Sequence, residues 1–368
     1  MSQPASSDRL VSLDVMRGLI MILLAGESAL VYDSLRRLPL SPAGEGLVGQ
    51  FFHHPWHGLH FWDLVQPAFM MMAGTAMYIS YAQKAAKGIS WSENLPHILL
   101  RSAKLFLLGT ALHCVYAGKL VWELWNVLTQ LSVTCLVAYL LIRRSGAFQV
   151  ICGCLLVAAS DILYRLILVP GFDQPFVEFH NFGAYMDTVL MGKINPDGWV
   201  AINCLPTAAH TIWGAVAGRW LISARTPAQK IRLLLLAGGG GLIVGYGLDW
   251  AGITPIIKRI STGPFVFASA GWVMLILAFL YWLVDVGKYR KYAWIATAVG
   301  MNALFIYLFF ETVGAQWLNP VTGIFVRGFS GLLHMPVAGQ DLLTALVVWA
   351  LEWCLCYALF RKKIFIKL

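Results

Sequence analysis

The sequence has little charge. Of its 368 residues only 12% are Asp, Glu, Lys or Arg, while 59% are hydrophobic. A soluble domain of this size carries roughly a quarter charged residues, and at a mean hydropathy of +0.70 no stretch reads as one. A disulfide framework is also missing. The seven cysteines form no C-x-x-C pair, and Cys152, Cys154, Cys354 and Cys356 lie inside apolar runs, where they read as small core residues. There is no internal repeat and no low-complexity segment. No Lys-Ser/Thr follows the glycines at 238–241, 245 and 247, which excludes a phosphate loop and leaves close helix packing as their use. The net charge of +9 comes from short basic clusters between apolar runs rather than from one basic groove, which argues against nucleic acid as a partner.

What the chain does have is long apolar runs. A spanning helix needs about 20 mostly apolar residues, and candidate spans lie near 12–33, 61–83, 97–117, 123–143, 147–168, 199–222, 231–248, 264–286, 291–313 and 340–360. The expectation is an all-α integral membrane protein, a polytopic bundle of about ten transmembrane helices in a single domain, 1–368. The polar start and the charges Asp14, Arg17 and Glu27 make a poor signal peptide, so the first helix is expected to stay. With ten spans, the side holding both termini carries 18 Lys and Arg, Arg9 and Lys367 among them. The other side carries 7. That asymmetry puts both termini in the cytoplasm and the longer linkers, 34–60, 169–198, 249–263 and 314–339, outside.

The densest polar constellation is in the first outer linker and its exit: His53, His54, His57, His60 and Asp63 within eleven residues, interleaved with Trp56 and Trp62. Neutral imidazole accepts a proton near neutral pH or acts as a nucleophile, and Asp63 could fix a ring tautomer. Three readings stand: a structural re-entrant loop, a metal site, and a catalytic histidine. The spacing matches no standard zinc motif. Charges inside spans are expensive and mark sites by default. Asp14 and Arg17, three apart on one helix face, are expected to pair; Glu27 rises toward the level of the histidine loop. Further polar residues are Arg101, Gln130, Asp161, Arg165, Asn203, His210, Asn302 and Glu311, with Asp161 and Arg165 expected as a structural pair.

These residues carry a resemblance. Asp14, Arg17 and Gly18 in the first helix, then His53, Trp56, Gly58, Asp63, Leu64, Val65 and Pro67, resemble the pattern of the transmembrane acyltransferases related to heparan-α-glucosaminide N-acetyltransferase and their bacterial, uncharacterised inner-membrane branch. The likeness continues through Arg101-Ser102, Gly109, Asn195-Pro196-Asp197-Gly198, Leu205-Pro206, Gly214 to Gly218, Gly300-Met301-Asn302, Glu311 and the Arg361 to Phe365 tail. The family's Gln-Arg in the fourth span appears as Thr129-Gln130, Glu27-Ser28 replaces an Asn of the human-like branch, and the segment after Lys258 lacks the usual Trp. These departures bear on the acceptor.

The resemblance implies transfer of an acetyl group from cytoplasmic acetyl-CoA to the amine of a hexosamine-type acceptor, an amino sugar or glycan, in the inner membrane. It makes His53 the catalytic histidine, as base or acetyl carrier, supported by Asp63 and Glu27. Arg17, Arg101, Lys104 and Arg219 are the expected partners of the CoA phosphates. Asp14, Trp56, His57, Lys258, Asn302 and Glu311 are the expected acceptor-side residues. No metal is expected, and helix surfaces could support a homodimer. The rivals are a secondary transporter of a small polar solute, which intramembrane Asp, Glu and His would serve equally well, and an O-acetyltransferase of an envelope polysaccharide.

Overall fold

A computed structural model describes residues 10–366; Arg9 and Lys367, two of the cations counted above, lie outside the described residues. In chain order the helices are α1 (Val11–Ser28), α2 (Val31–Arg36), α3 (Pro42–Gly49), α4 (Val65–Ala86), α5 (Trp91–Ala117), α6 (Val127–Leu141), α7 (Gly146–Leu166), α8 (Phe182–Met191), α9 (Cys204–Ile222), α10 (Pro227–Trp250), α11 (Gly263–Leu280), α12 (Ala293–Gly300), α13 (Ala303–Phe309), α14 (Asn319–Leu332) and α15 (Val337–Arg361). Helix α11 runs on through a π-helical turn at Tyr281–Val286, and a nine-residue π-helix, Phe310–Leu318, joins α13 to α14. The chain divides into two compact units. Unit 1 holds His54–Leu59 and Asp63–Phe279; unit 2 holds 10–53, His60–Trp62 and 280–366.

Local sequence signals start these helices. Ser90 and Glu93 form a reciprocal capping box on α5, and Thr226 and Gln229 do the same on α10, where Pro227 occupies the first turn. Asn126, Ser145 and Asn181 accept hydrogen bonds from backbone N–H groups at the starts of α6, α7 and α8. Each satisfies a donor that the first turn leaves without an intrahelical partner.

In unit 1 the central element is α9, buried at every residue from Pro206 to Gly218. It lies against α4, α6 and α7. Helices α4 and α9 touch backbone to backbone: a Cβ on Gly74 would run into the Thr211 carbonyl, and one on Gly214 into the Met71 carbonyl. Thr75 Oγ1 completes the seam by donating to the carbonyls of Gly214 and Met71, each at 2.9 Å. Gly238, Gly241 and Gly245 of α10 make the same kind of close approach to α11, while Gly239, Gly240 and Gly247 face open space. Close packing, expected for all six, therefore accounts for three. Leucine and isoleucine stay exposed on the outer helices, for instance Leu107, Leu155 and Ile243. That is the surface a bilayer covers.

In unit 2, α1 packs on α12 through Gly18 and Gly300, where added Cβ atoms would meet the backbone of Ala296 and Asp14. Asp285 caps α1 from the π-turn, accepting from Val11 N at 3.1 Å and Ser12 N at 3.2 Å. Trp349 and Trp353 of α15 donate to the carbonyls of Ile22 and Ile295 at 2.8 and 3.1 Å.

Five helices are long and apolar enough to cross a membrane: Trp91–Ala117, Gly146–Leu166, Pro227–Trp250, Gly263–Val286 and Val337–Arg361. A sixth follows if the bent pair Ala293–Gly300 and Ala303–Leu332, 73° apart, counts as one span. A helix stands at each of the ten segments read from sequence, but α1 carries three charges, α6 has 15 residues, and α4 and α9 are rich in small and polar residues. For α9 the reason is plain. Its neighbours are protein, so lipid does not select its composition.

Replacing Gly214 by Leu should therefore force α4 and α9 apart and lower stability by roughly 1–3 kcal/mol or more. Gly239→Ala, in open space, should leave the melting temperature of the detergent-purified protein within a degree or two.

Candidate functional site

In unit 1 the site is made from two connections: the segment 54–59 with Asp63, and the 249–263 connection between α10 and α11. Asp63 is completely buried, and its Oδ2 accepts from His54 N at 3.3 Å. Its Oδ1 lies 3.6 Å from Lys258 Nζ, also buried, which in turn sits 5.2 Å above the Trp199 ring. A pair withdrawn from water this far is held by mutual attraction and by hydrogen bonds to its remaining lone pairs. Around it the two connections are stitched together. Gly58 N donates to Ile256 O at 2.9 Å, and His57 and Ile257 form an antiparallel bridge. Gly58 has φ +146°, and any Cβ there would strike the His54 ring.

His57 ends this stitch in a carboxylate. Its Nε2 lies 2.7 Å from Oδ1 of Asp249 on the last turn of α10, and the same oxygen accepts from Ile256 N at 2.9 Å. An ionised carboxylate only accepts, so Nε2 carries the hydrogen and Nδ1 the lone pair. The His57 side chain is 58% exposed and that of Asp249 only 16%. Beneath lies an apolar cluster of Tyr164, Phe182, Val200, Ile257 and Ile260, with Trp56 packed against it. Trp56 Nε1 donates to Phe176 O at 2.8 Å. Arg259 donates to Glu178 at 2.8 Å and to Asp197 O. Asp161 and Arg165, expected as a direct pair, meet on Thr254, whose Oγ1 donates to Asp161 Oδ2 at 2.9 Å and accepts from Arg165 at 2.7 Å.

Unit 2 holds the other expected residues. His53 is half-buried after α3, in a loop closed by Trp62 N donating to Gln50 O at 2.9 Å and His60 Nδ1 donating to Phe52 O at 3.0 Å. Tyr32 stacks on Phe51 at 4.7 Å and meets the buried Trp62 edge-on at 5.3 Å. Asp14 and Arg17 pair at 3.7 Å, as their spacing predicts. Glu27 is exposed near the end of α1, and Glu311 lies half-buried on the π-helix. Asn302, fully buried at the break between α12 and α13, spends its amide on the C-terminal tail: Nδ2 donates to Ile364 O at 3.0 Å and Oδ1 accepts from Ile366 N at 2.9 Å.

The cations expected to meet CoA phosphates are dispersed. Arg17 belongs to unit 2. Arg101 and Lys104 are exposed, one turn apart on α5. Arg219 donates to Ile142 O and Arg144 O at 3.1 and 2.7 Å and lies over Tyr78, so it caps the end of α6.

Several carboxylates escaped the sequence reading, Asp249 and Glu352 among them. Asp249 was hidden by its glycine-rich run, although a carboxylate at the outer end of a span is the signal that selected Glu27. Glu352, in the apolar middle of α15, is 1% exposed beside Gly314 of the π-helix, and neither oxygen has a hydrogen-bond partner among the described residues. A second polar group of unit 1 surrounds Asp187, which accepts from Ala201 N at 2.9 Å and Trp125 Nε1 at 2.6 Å. Burial pushes its carboxyl up from 3.8 to about 6, against those two hydrogen bonds, which pull it down.

Two outcomes follow from this geometry. Lys258→Met removes the lysine counter-charge beside buried Asp63 and should cost roughly 3–5 kcal/mol of stability; adding Asp63→Asn should restore much of it, read by thermal melting. For Asp187, the folded state holds the proton more tightly than the unfolded state. Its contribution is complete below pH 3.8 and is lost as pH rises through about 6. Melting curves across that window should show a pH slope that Asp187→Asn removes.

No family model matches the chain. Similar curated proteins include heparan-alpha-glucosaminide N-acetyltransferase of Homo sapiens, 25% identical over 98% of this chain and 60% of the relative. The protein of the same name from Mus musculus is 22% identical over 99% of this chain and 61% of the relative. The chain thus spans about 60% of the length of these relatives. Low identity sustained over nearly the whole chain supports a distant relationship to a membrane N-acetyltransferase.

Proposed function

We propose that the protein is a membrane acetyltransferase that moves an acetyl group from cytoplasmic acetyl-CoA to the amine of a hexosamine-type acceptor reached from the outer side. The observation that carries this reading is a coincidence of place. In unit 1 the part of the family-like motif at 54–59 and Asp63 is built into an ordered, histidine-bearing framework anchored on a buried Asp63–Lys258 pair. The likeness to two N-acetyltransferases extends over nearly the entire chain and supports the same chemistry.

In this reading the chain is one domain that crosses an inner membrane ten times, its ninth crossing broken at Met301-Asn302, with both termini cytoplasmic. His53 takes the acetyl group or the acceptor's proton. Asp63 holds the backbone of the loop through His54 N, and Glu27 and Glu311 attract the acceptor's ammonium. Arg17, Arg101 and Lys104 remain the partners proposed for the CoA phosphates. Arg219 is proposed with them, its Nη2 also donating to two carbonyls at the end of α6.

The direct test is CoA release by the purified protein with glucosamine as acceptor. His53→Ala should lower turnover by at least 10²-fold, the scale expected for removing a base or nucleophile. Wild-type turnover in that variant would remove His53 from the mechanism.

A further inference from the structure

We infer that His57 and Asp249 form a carboxylate-oriented base that takes the proton of the acceptor amine, with His57 the catalytic residue and Asp249 its positioning residue. This rests on the acetyl-transfer reading above and deepens it, because the resemblance supplies one histidine whereas the fold prepares a second.

The preparation is visible in three features. First, the ring is aimed. Asp249 Oδ1 holds Nε2 at 2.7 Å and is itself fixed by Ile256 N at 2.9 Å, so the carboxylate cannot swing away without breaking the turn. Second, the backbone beneath the ring is pinned by the His57–Ile257 bridge and by Gly58 N on Ile256 O. Third, the side chain is 58% exposed while its carboxylate is 16% exposed. A purely structural hydrogen bond would have no need of an open ring face. The result is an imidazole in a single tautomer, with the lone pair on Nδ1 directed away from its anchor. The other charges on or beside these connections are committed elsewhere: Lys258 to Asp63, Arg259 to Glu178, and Arg165 and Asp161 of α7 to Thr254. Asp249 is therefore the carboxylate that meets His57.

The step balances without a further reagent. The acceptor nitrogen forms a bond to the acyl carbon. The bond from that carbon to its leaving group, the CoA sulfur, breaks, and the sulfur takes the electron pair. The proton released from the attacking nitrogen passes to Nδ1 of His57. The resulting imidazolium is stabilised by the Asp249 carboxylate at Nε2, as in other carboxylate–histidine bases. Exposure of the ring then lets water or the departing thiolate collect that proton.

The test is the pH–rate profile of acetyl-CoA-dependent glucosamine acetylation by the purified protein in nanodiscs, for wild type, His57→Gln, His57→Gly and Asp249→Asn. Melting temperatures check that each variant folds. The acid limb of the profile should vanish in His57→Gln, with kcat about 10²-fold lower at neutral pH and KM within about threefold. In Asp249→Asn the limb should persist with a reduced plateau, because the imidazolium loses its counter-charge. Added imidazole should restore part of the rate in His57→Gly alone. If folded variants match wild type in profile and rate, or if imidazole does not rescue, the dyad has no base role while acetyl transfer stands. If wild type releases no CoA with any amine, the acetyl-transfer reading falls and takes the dyad's role with it.

Discussion

The candidate site depends on one buried ion pair. Asp63 and Lys258 lie 3.6 Å apart with almost no exposure, one just before α4 and the other in the connection between α10 and α11. Two charges removed from water are tolerated only together, and losing one partner leaves the other uncompensated. That mutual need ties segments nearly two hundred residues apart. Once tied, they hydrogen bond along their backbones, place His57 against Asp249 and seat Trp56 on the apolar cluster around Tyr164 and Ile257. The pair thus converts two polar linkers into a fixed frame.

Below that frame, unit 1 is a bundle whose inner helices contact one another without large side chains. Gly74, Gly214 and Thr75 bring α4 and α9 close enough for a hydroxyl to reach the partner's carbonyl. In hydrocarbon such packing and interhelical hydrogen bonding replace the hydrophobic effect as the force between helices. Unit 2 uses the same device at Gly18 and Gly300, then breaks α12 from α13 by 73°. The backbone freed at that break is buried, and Asn302 binds the C-terminal tail there with both ends of its amide. Irregular backbone at depth is tolerated where protein satisfies it.

Much of this was legible in the sequence, for identifiable reasons. Apolar runs and capping residues located the helices, since each capping box is a local code. The i, i+3 spacing of Asp14 and Arg17 foretold their pair. The histidine cluster marked the segment that proves most elaborately built. What the sequence hid were the long-range pairings. Nothing near Lys258 names Asp63, and nothing near Asp249 names His57. Asp161 and Arg165 looked like a local pair because spacing cannot register Thr254, some ninety residues away, standing between them. Hydropathy marks α4 and α9 less strongly than the five apolar helices, because they carry small and polar residues where they pack on protein. Spacing likewise could not show that one nitrogen of Arg219 reaches two carbonyls at the end of α6.

A fixed linker frame joined to a bundle of apolar helices suits the proposed protein, which joins a donor on one side of a membrane to an acceptor on the other. The most direct measurement is made in sealed proteoliposomes of uniform orientation, with glucosamine enclosed at the face bearing the 53–63 segment and labelled acetyl-CoA supplied at the opposite face. The account predicts labelled N-acetylglucosamine inside and free CoA outside, in equal amounts. Glucosamine crossing the membrane without CoA consumption, or acetylation only when both substrates share one face, would contradict it.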